Sequence, residues 1–277
     1  MALMAPDGTI YAITQRPRQL VRITRRATRL TVTAYTLPPS LLSPAALALD
    51  AGDLLVLDLG SRSVHRLRGQ APLRDVGSFA VADATEMCAM RGRVYVYRRR
   101  DGSPVSVYSA TGRLVASFGR QFGSGSAARR ESISQVSLLC DAESNSVIVA
   151  ARLTGEVRAY AATGRELWAK VVPGIRGVIF KEWGERGVTL TSAPGGSHEL
   201  IALGNPETGT FLAQYGIQGR PGAFDAVETF ELSIATGEPL ANQKDLPGFT
   251  PVSSGWVLTS EPARRRVVLS HLLHPEN

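Results

Sequence analysis

The stretch Glu156-Val157-Arg158-Ala159-Tyr160-Ala161-Ala162-Thr163-Gly164-Arg165-Glu166-Leu167-Trp168-Ala169-Lys170-Val171-Val172 sets how the chain is read. Two runs rich in β-branched and aromatic residues flank Ala162-Thr163-Gly164-Arg165, a turn whose glycine accepts a positive φ, so the segment predicts an antiparallel hairpin. The same pattern surrounds Ala110-Thr111-Gly112-Arg113, between Pro104 and Gly119, and Glu207-Thr208-Gly209-Thr210 leads into a further strand at Phe211 to Gly216. Upstream, Thr9 to Ile13, Asp53 to Asp58, Arg93 to Tyr97 and Ser146 to Ala150 read as buried strands. Each follows a turn, at Asp7-Gly8, Ala51-Gly52, Arg91-Gly92 and Ser144-Asn145. Each precedes a partner strand, at Gln19 to Thr24, Ser63 to Arg68, Pro104 to Ala110 and Glu156 to Ala162.

These pieces repeat. The turn glycines stand 52 and 45 residues apart (112 to 164, 164 to 209), the period of a four-stranded propeller blade. Long amphipathic helices are absent from the pattern, which excludes α/β folds with crossover helices. At roughly 40 to 50 residues per blade, the chain predicts an all-β propeller of about six four-stranded blades around a central channel, a single domain over 1–277. The expected blades are 1–38, 39–80, 81–120, 131–173, 174–217 and an irregular last one at 218–277. In that last blade Ala235-Thr236-Gly237-Glu238 follows Gly209 too closely for a complete unit, so one of the two turns belongs to an insertion or an altered hairpin.

Leu54-Leu55-Val56-Leu57-Asp58-Leu59-Gly60-Ser61-Arg62-Ser63-Val64 resembles the strand, Asp, turn, Arg, strand unit of NHL-type six-bladed propellers. Tyr215-Gly216-Ile217-Gln218-Gly219-Arg220-Pro221-Gly222-Ala223-Phe224 is similar to their glycine-rich connection between blades. The resemblance covers nearly the whole chain and implies architecture. Its members range from sugar-lactone hydrolases and strictosidine-synthase-like enzymes through amidating lyases to RNA-binding and scaffold modules, so the fold does not choose the activity.

The chain has 44% hydrophobic and 20% charged residues and a net charge of +7, which excludes disordered, collagenous and disulfide-scaffold classes. No run approaches the roughly 18 apolar residues of a membrane helix. The residues from Met1 to Gly8 carry no basic-then-apolar leader, and the compartment stays open because a leader removed earlier would leave no trace. Of 31 basic residues only Lys170, Lys181 and Lys244 are lysines. A GC-rich genome alone produces such a ratio, so position must decide whether the arginines act.

Propeller loops joining strands two to three and those joining blade to blade share one face. Those loops are expected to hold Arg16, Arg18, Arg62, Arg98, Arg99, Arg100, Arg129, Arg130, Arg152, Arg264, Arg265 and Arg266, together with Arg120, Arg176 and Arg220. Guanidinium groups gathered there suit carboxylate or phosphate, and exposed loops of an arginine-rich chain would also collect them without function. Nucleic acid would ask for interleaved aromatics, and only Tyr97 and Phe122 lie near these loops. The histidines, His65, His198, His271 and His274, are too scattered for a zinc site. The first blade lacks the acid of a lactonase metal site, Gly123-Ser124-Gly125-Ser126 reads as a flexible loop, and no serine elbow stands in the chain.

Cys88 and Cys140, in the first strands of successive blades, read as small buried apolar groups, a bridge being open if their Cα atoms lie within about 7 Å. Trp183 and Trp256 are expected between blades. The reading is a non-catalytic binding or scaffold module, without cofactor, whose arginine-rich face takes an anionic ligand or partner protein. Its rivals are a metal-dependent lactone hydrolase or strictosidine-synthase-like enzyme acting in the channel, and an RNA-binding propeller.

Overall fold

The computed structural model describes residues 2–271 apart from 6, 16–17, 27–28, 70–72, 100–101, 124, 185–186, 205–208, 219–223, 245–248, 254–255 and 262–265. The strands follow one another as antiparallel meanders. The first sheet is β1 (Ala2–Met4), β2 (Ile10–Gln15), β3 (Arg18–Arg26) and β4 (Arg29–Thr36). The second is β5 (Pro44–Asp50), β6 (Asp53–Asp58), β7 (Ser63–Arg68) and β8 (Arg74–Ala80), and the third β9 (Ala84–Met90), β10 (Arg93–Arg98), β11 (Val105–Ser109) and β12 (Leu114–Phe118). A short helix, α1 (Ala127–Ile133), precedes the fourth sheet, β13 (Val136–Asp141), β14 (Ser146–Ala151), β15 (Glu156–Ala161) and β16 (Glu166–Val171). Then come a two-stranded hairpin, β17 (Ile179–Trp183) with β18 (Gly187–Thr191), and the sheet β19 (Ser197–Gly204), β20 (Thr210–Gln218), β21 (Ala226–Ser233) and β22 (Pro239–Lys244). The last sheet has three strands, β23 (Phe249–Ser253), β24 (Trp256–Glu261) and β25 (Arg266–His271).

Two compact units divide the chain, 1–98 with 105–117, and 99–104 with 118–277. In the first, the leading strands β1, β5 and β9 lie side by side; in the second, β13, β19 and β23 do so. Burial falls from inner to outer strands, with every residue of β6 and of β14 buried and β8 and β12 mostly exposed. Continuous apolar runs such as Leu54-Leu55-Val56-Leu57 therefore sit in the middle of a blade, covered on both faces. Ala46, Leu55, Leu57, Val64, Val94 and Val96 form one core in the first unit, and Ile148, Val157, Leu200, Phe211, Tyr215 and Phe230 one in the second.

The turns obey their chemistry. Ala51-Gly52 and Arg91-Gly92 both hold positive φ at the two central positions (49° and 86°, 50° and 71°), the geometry whose twist matches the strands it joins. The glycines that close the outer hairpins have a further reason. A Cβ on Gly112 would collide with Phe79 of β8, one on Gly164 would lie 2.7 Å from Cβ of Phe118, and one on Gly237 2.7 Å from Cε3 of Trp168. Each of these three turns thus lies on an aromatic ring from the fourth strand of the preceding four-stranded sheet.

That contact corrects the expected frame. Gly209 meets nothing within 4 Å and belongs to the turn between β19 and β20, the place of Gly52 and Gly92. The true recurrence is 112, 164, 237, and the longer second interval reflects the inserted hairpin β17–β18. The blades expected at 174–217 and 218–277 are replaced by a four-stranded blade over Ser197–Lys244 and the three-stranded sheet. The described residues thus hold five complete blades rather than a clear six. A short helix, not expected from the sequence, follows the Gly123–Ser126 loop, and the Ser126 hydroxyl caps it by accepting from the Arg129 N–H at 3.2 Å.

Candidate functional site

In the first unit, Asp58 ends β6 with its carboxylate fully buried. It accepts from the backbone N–H groups of Leu42 (2.5 Å), Ser43 (2.6 Å) and Gly60 (2.9 Å). Burial pushes this carboxyl up, but those three donors and the Ser61 hydroxyl outweigh it and hold it below its ordinary 3.8. The loop 41–43 and the turn 59–62 are thereby fixed together. Gly60 permits the approach, since a Cβ there would lie 2.5 Å from that of Leu42.

Beside them runs a second chain of bonds. Ser61 Oγ lies 2.9 Å from Nε2 of the buried His65, whose Nδ1 lies 2.7 Å from Asp75, and Asp75 also accepts from Ser40 Oγ at 2.9 Å. Desolvation raises Asp75, yet His65, Ser40 and the Gly77 N–H bring it below the ordinary value. Serine, histidine and aspartate in this order are the contacts of a nucleophile, its base and the group that orients the base. The backbone N–H groups of Leu42, Ser43 and Gly60 in the adjoining loops are already bonded to Asp58. The set therefore locks Ser40, the turn and β7 to β8. The sequence signal for it was Asp-Leu-Gly-Ser at a strand end, a carboxylate followed by a turn that offers it N–H groups.

Two of the expected arginines bear on this locked pair of loops, Arg18 from the start of β3 and Arg62 within the turn. Arg18 is exposed and donates from Nη1 to the Leu42 carbonyl at 2.6 Å. Arg62 is exposed at the turn tip with φ 53°. Leu42 and Leu59 beside them are 57% and 43% exposed.

The remaining expected arginines divide. Arg16, Arg100, Arg264 and Arg265, and the Arg266 side chain, lie outside the described residues. Arg98 is half-buried at the end of β10 and Arg99 is exposed. In the second unit Arg129 pairs with Glu182 at 3.1 Å and Arg152 with Glu199 at 3.1 Å, while exposed Arg130 donates to the Gly125 carbonyl. These three hold loops as well as charge.

An arginine outside the expected set is the most enclosed. Arg158 of β15 is buried, 4.2 Å above the ring of Phe122, bonded to Glu156 (2.6 and 2.8 Å) and to the carbonyls of Arg120 (2.5 Å) and Gln121 (3.2 Å). Phe122 and Tyr97 are both buried and so are not stacking platforms. Trp168 does fill space between blades, donating Nε1–H to the Ile234 carbonyl at 2.8 Å. Trp183, expected to do likewise, is 66% exposed. The Trp256 side chain lies outside the described residues.

His198 is buried in β19. Its Nδ1 accepts the Arg176 N–H at 3.1 Å and Nε2 faces Glu228 at 3.7 Å. Burial, only partly opposed by Glu228, lowers it from the ordinary 6.5, and an Nδ1 that accepts a hydrogen bond carries no proton. Cys88 and Cys140 are not free thiols but disulfide-bonded. Among the described residues no group of three or more His, Cys, Asp or Glu side chains is gathered for a metal, and no helix is long and apolar enough to cross a membrane.

No protein-family model matches the sequence, and no curated protein matches it. Solved structures do resemble it. Virginiamycin B lyase from Staphylococcus aureus superimposes with a TM-score of 0.55 at 9% identity, over 98% of this chain and 83% of that one. A putative 6-phosphogluconolactonase from Bacteroides uniformis gives 0.55 at 10% identity over 98% and 83%. A chain of a nidogen/laminin complex gives 0.50 at 12% over 96% and 80%. The chain is thus a β-propeller, and likenesses this distant establish the fold without singling out the NHL type.

Proposed function

We propose that this protein is a six-bladed binding propeller, with β23–β25 as the sixth blade, and that it holds a carboxylate-bearing segment of a partner protein at Arg18 and Arg62. The observation that carries this reading is that exposed Arg18 bonds to Leu42 in one of the two loops that buried Asp58 fixes, and that exposed Arg62 belongs to the other. A preformed cationic site loses little conformational freedom on binding, which favours affinity. Arg18 keeps donors beyond the one given to Leu42, and a guanidinium fork fits a carboxylate in two parallel bonds, each charge-assisted bond contributing about 1.5–3 kcal/mol when shielded from water. Leu42 and Leu59 add apolar contact around the charges. That a nidogen/laminin complex is among the structural likenesses supports partner binding only as a use this fold allows.

The test is fluorescence anisotropy with a labelled dodeca-glutamate peptide and a labelled single-stranded RNA of equal charge, at two salt concentrations. The peptide is expected to bind, and Arg18→Glu with Arg62→Glu to weaken it at least tenfold with the melting temperature unchanged. Equal binding by the double variant would return both arginines to solvated surface. Tighter RNA binding with a steep salt slope would favour the nucleic-acid reading instead.

A further inference from the structure

The hairpin β17–β18 stands outside the blade repeat, and its two faces have different fates. Its register pairs Ile179 with Thr191, Lys181 with Thr189 and Trp183 with Gly187 on one face, and Phe180 with Leu190 and Glu182 with Val188 on the other. The second face is seated. Arg129 of α1 lies 5.5 Å over the Phe180 ring and 3.1 Å from Glu182, and Glu182 also accepts the Ser126 N–H at 3.0 Å. The Ser126 N–H and hydroxyl, with the Arg129 guanidinium, hold the Glu182 carboxyl below its ordinary value.

The first face has no such seat. Ile179 is 48% and Trp183 66% exposed, and between them Lys181 is exposed with no acidic partner among the described residues. Among the described residues neither strand has a second neighbour in a sheet, so the hairpin also offers edge groups for pairing. Apolar, cationic and aromatic side chains thus repeat at the two-residue spacing of one strand face, on a hairpin fixed in place from behind.

We infer that this face binds an extended strand of a partner protein, added to the hairpin edge, with an acidic side chain opposite Lys181 and apolar ones opposite Ile179 and Trp183. Main-chain bonds would supply affinity and the alternate side chains specificity. Charge decides against a second copy as occupant: β17 paired about its centre with its own copy sets Lys181 against Lys181, a destabilising opposition. This surface shares no residue with the Arg18 and Arg62 site and does not rest on it.

A random dodecapeptide phage library selected on the full chain tests the inference, followed by anisotropy with the enriched peptide. Sequences with an acid flanked two residues away on each side by apolar residues are expected. Lys181→Glu and Trp183→Ser should each weaken the peptide at least tenfold, while Arg62→Glu changes it less than twofold, which separates this surface from the other. Enriched peptides without that pattern, no enrichment, or affinity indifferent to Lys181→Glu would overturn it. So would a concentration-dependent dimer by light scattering that Trp183→Ser abolishes, since the occupant would then be a second copy.

Discussion

The indole of Trp168 lies on Gly237, close enough that a β-carbon there would stand 2.7 Å from Cε3. Phe118 on Gly164 and Phe79 on Gly112 repeat the relationship. The ring contacts extend inward, to Phe211 from Trp168 (6.2 Å between centroids), to Tyr160 from Phe118 (5.3 Å) and to Tyr108 from Phe79 (5.3 Å). An outer turn in this protein is therefore a packing element as well as a reversal of the chain.

Gly237→Ala should accordingly cost more than an ordinary turn substitution. The new methyl meets a packed ring and the backbone stands at φ 69°, so a loss of about 2–4 kcal/mol is expected. Gly209→Ala, at φ 80° with open space around it, should lose only about 1 kcal/mol. Thermal melts of the two variants compare them directly, and equal losses would refute the packing role.

Acid should lower stability over two pH ranges. His198 has a lowered folded pKa, so the unfolded chain binds more protons; its contribution is full above about 6.5 and is lost as pH falls through the folded value. Asp58 and Asp75 are also lowered, so their contribution is full above about 4 and is lost further into acid. Urea midpoints measured between pH 8 and pH 3 should show both declines, with His198→Gln flattening the first and Asp58→Asn reducing the second.

Buried and exposed arginines should part under substitution. Arg158→Met leaves Glu156 and the carbonyls of Arg120 and Gln121 without their donor, at a cost of about 3 kcal/mol. Arg62→Met, at an exposed tip, should stay within about 0.5 kcal/mol of the parent. Denaturant titration of both variants measures the difference.

Thiol titration of the unfolded, unreduced protein should find no reactive cysteine, and after reduction two. The melting temperature should fall on reduction, since native disulfide bonding contributes about 2–4 kcal/mol. A free thiol before reduction would contradict the bonded state of Cys88 and Cys140.

Much of the fold was legible before any coordinates. The first four sheets fall within the expected segments because their turns carry Gly or Asn where φ is positive and their inner strands are continuous apolar runs. The three strands after Phe249 were legible for the same reason. Gly209 misled because a turn glycine looks alike in sequence whether it closes an inner or an outer hairpin, and only the ring lying on it tells them apart. Of the candidate site, Arg18 and Arg62 were singled out from the sequence, whereas Ser40, Asp58, His65 and Asp75 were not expected to meet.

What the sequence alone determined was the local alternation and the turn chemistry, hence an all-β chain of repeated four-stranded units, since both depend on residues a few positions apart. What the tertiary structure decided was which arginines are buried supports and which face water, which tryptophan fills a gap and which stands exposed, and where the repeat is interrupted. Those outcomes depend on contacts between residues 40 to 70 positions apart, such as Arg129 with Glu182 and Trp168 with Gly237, whose partners no local pattern specifies.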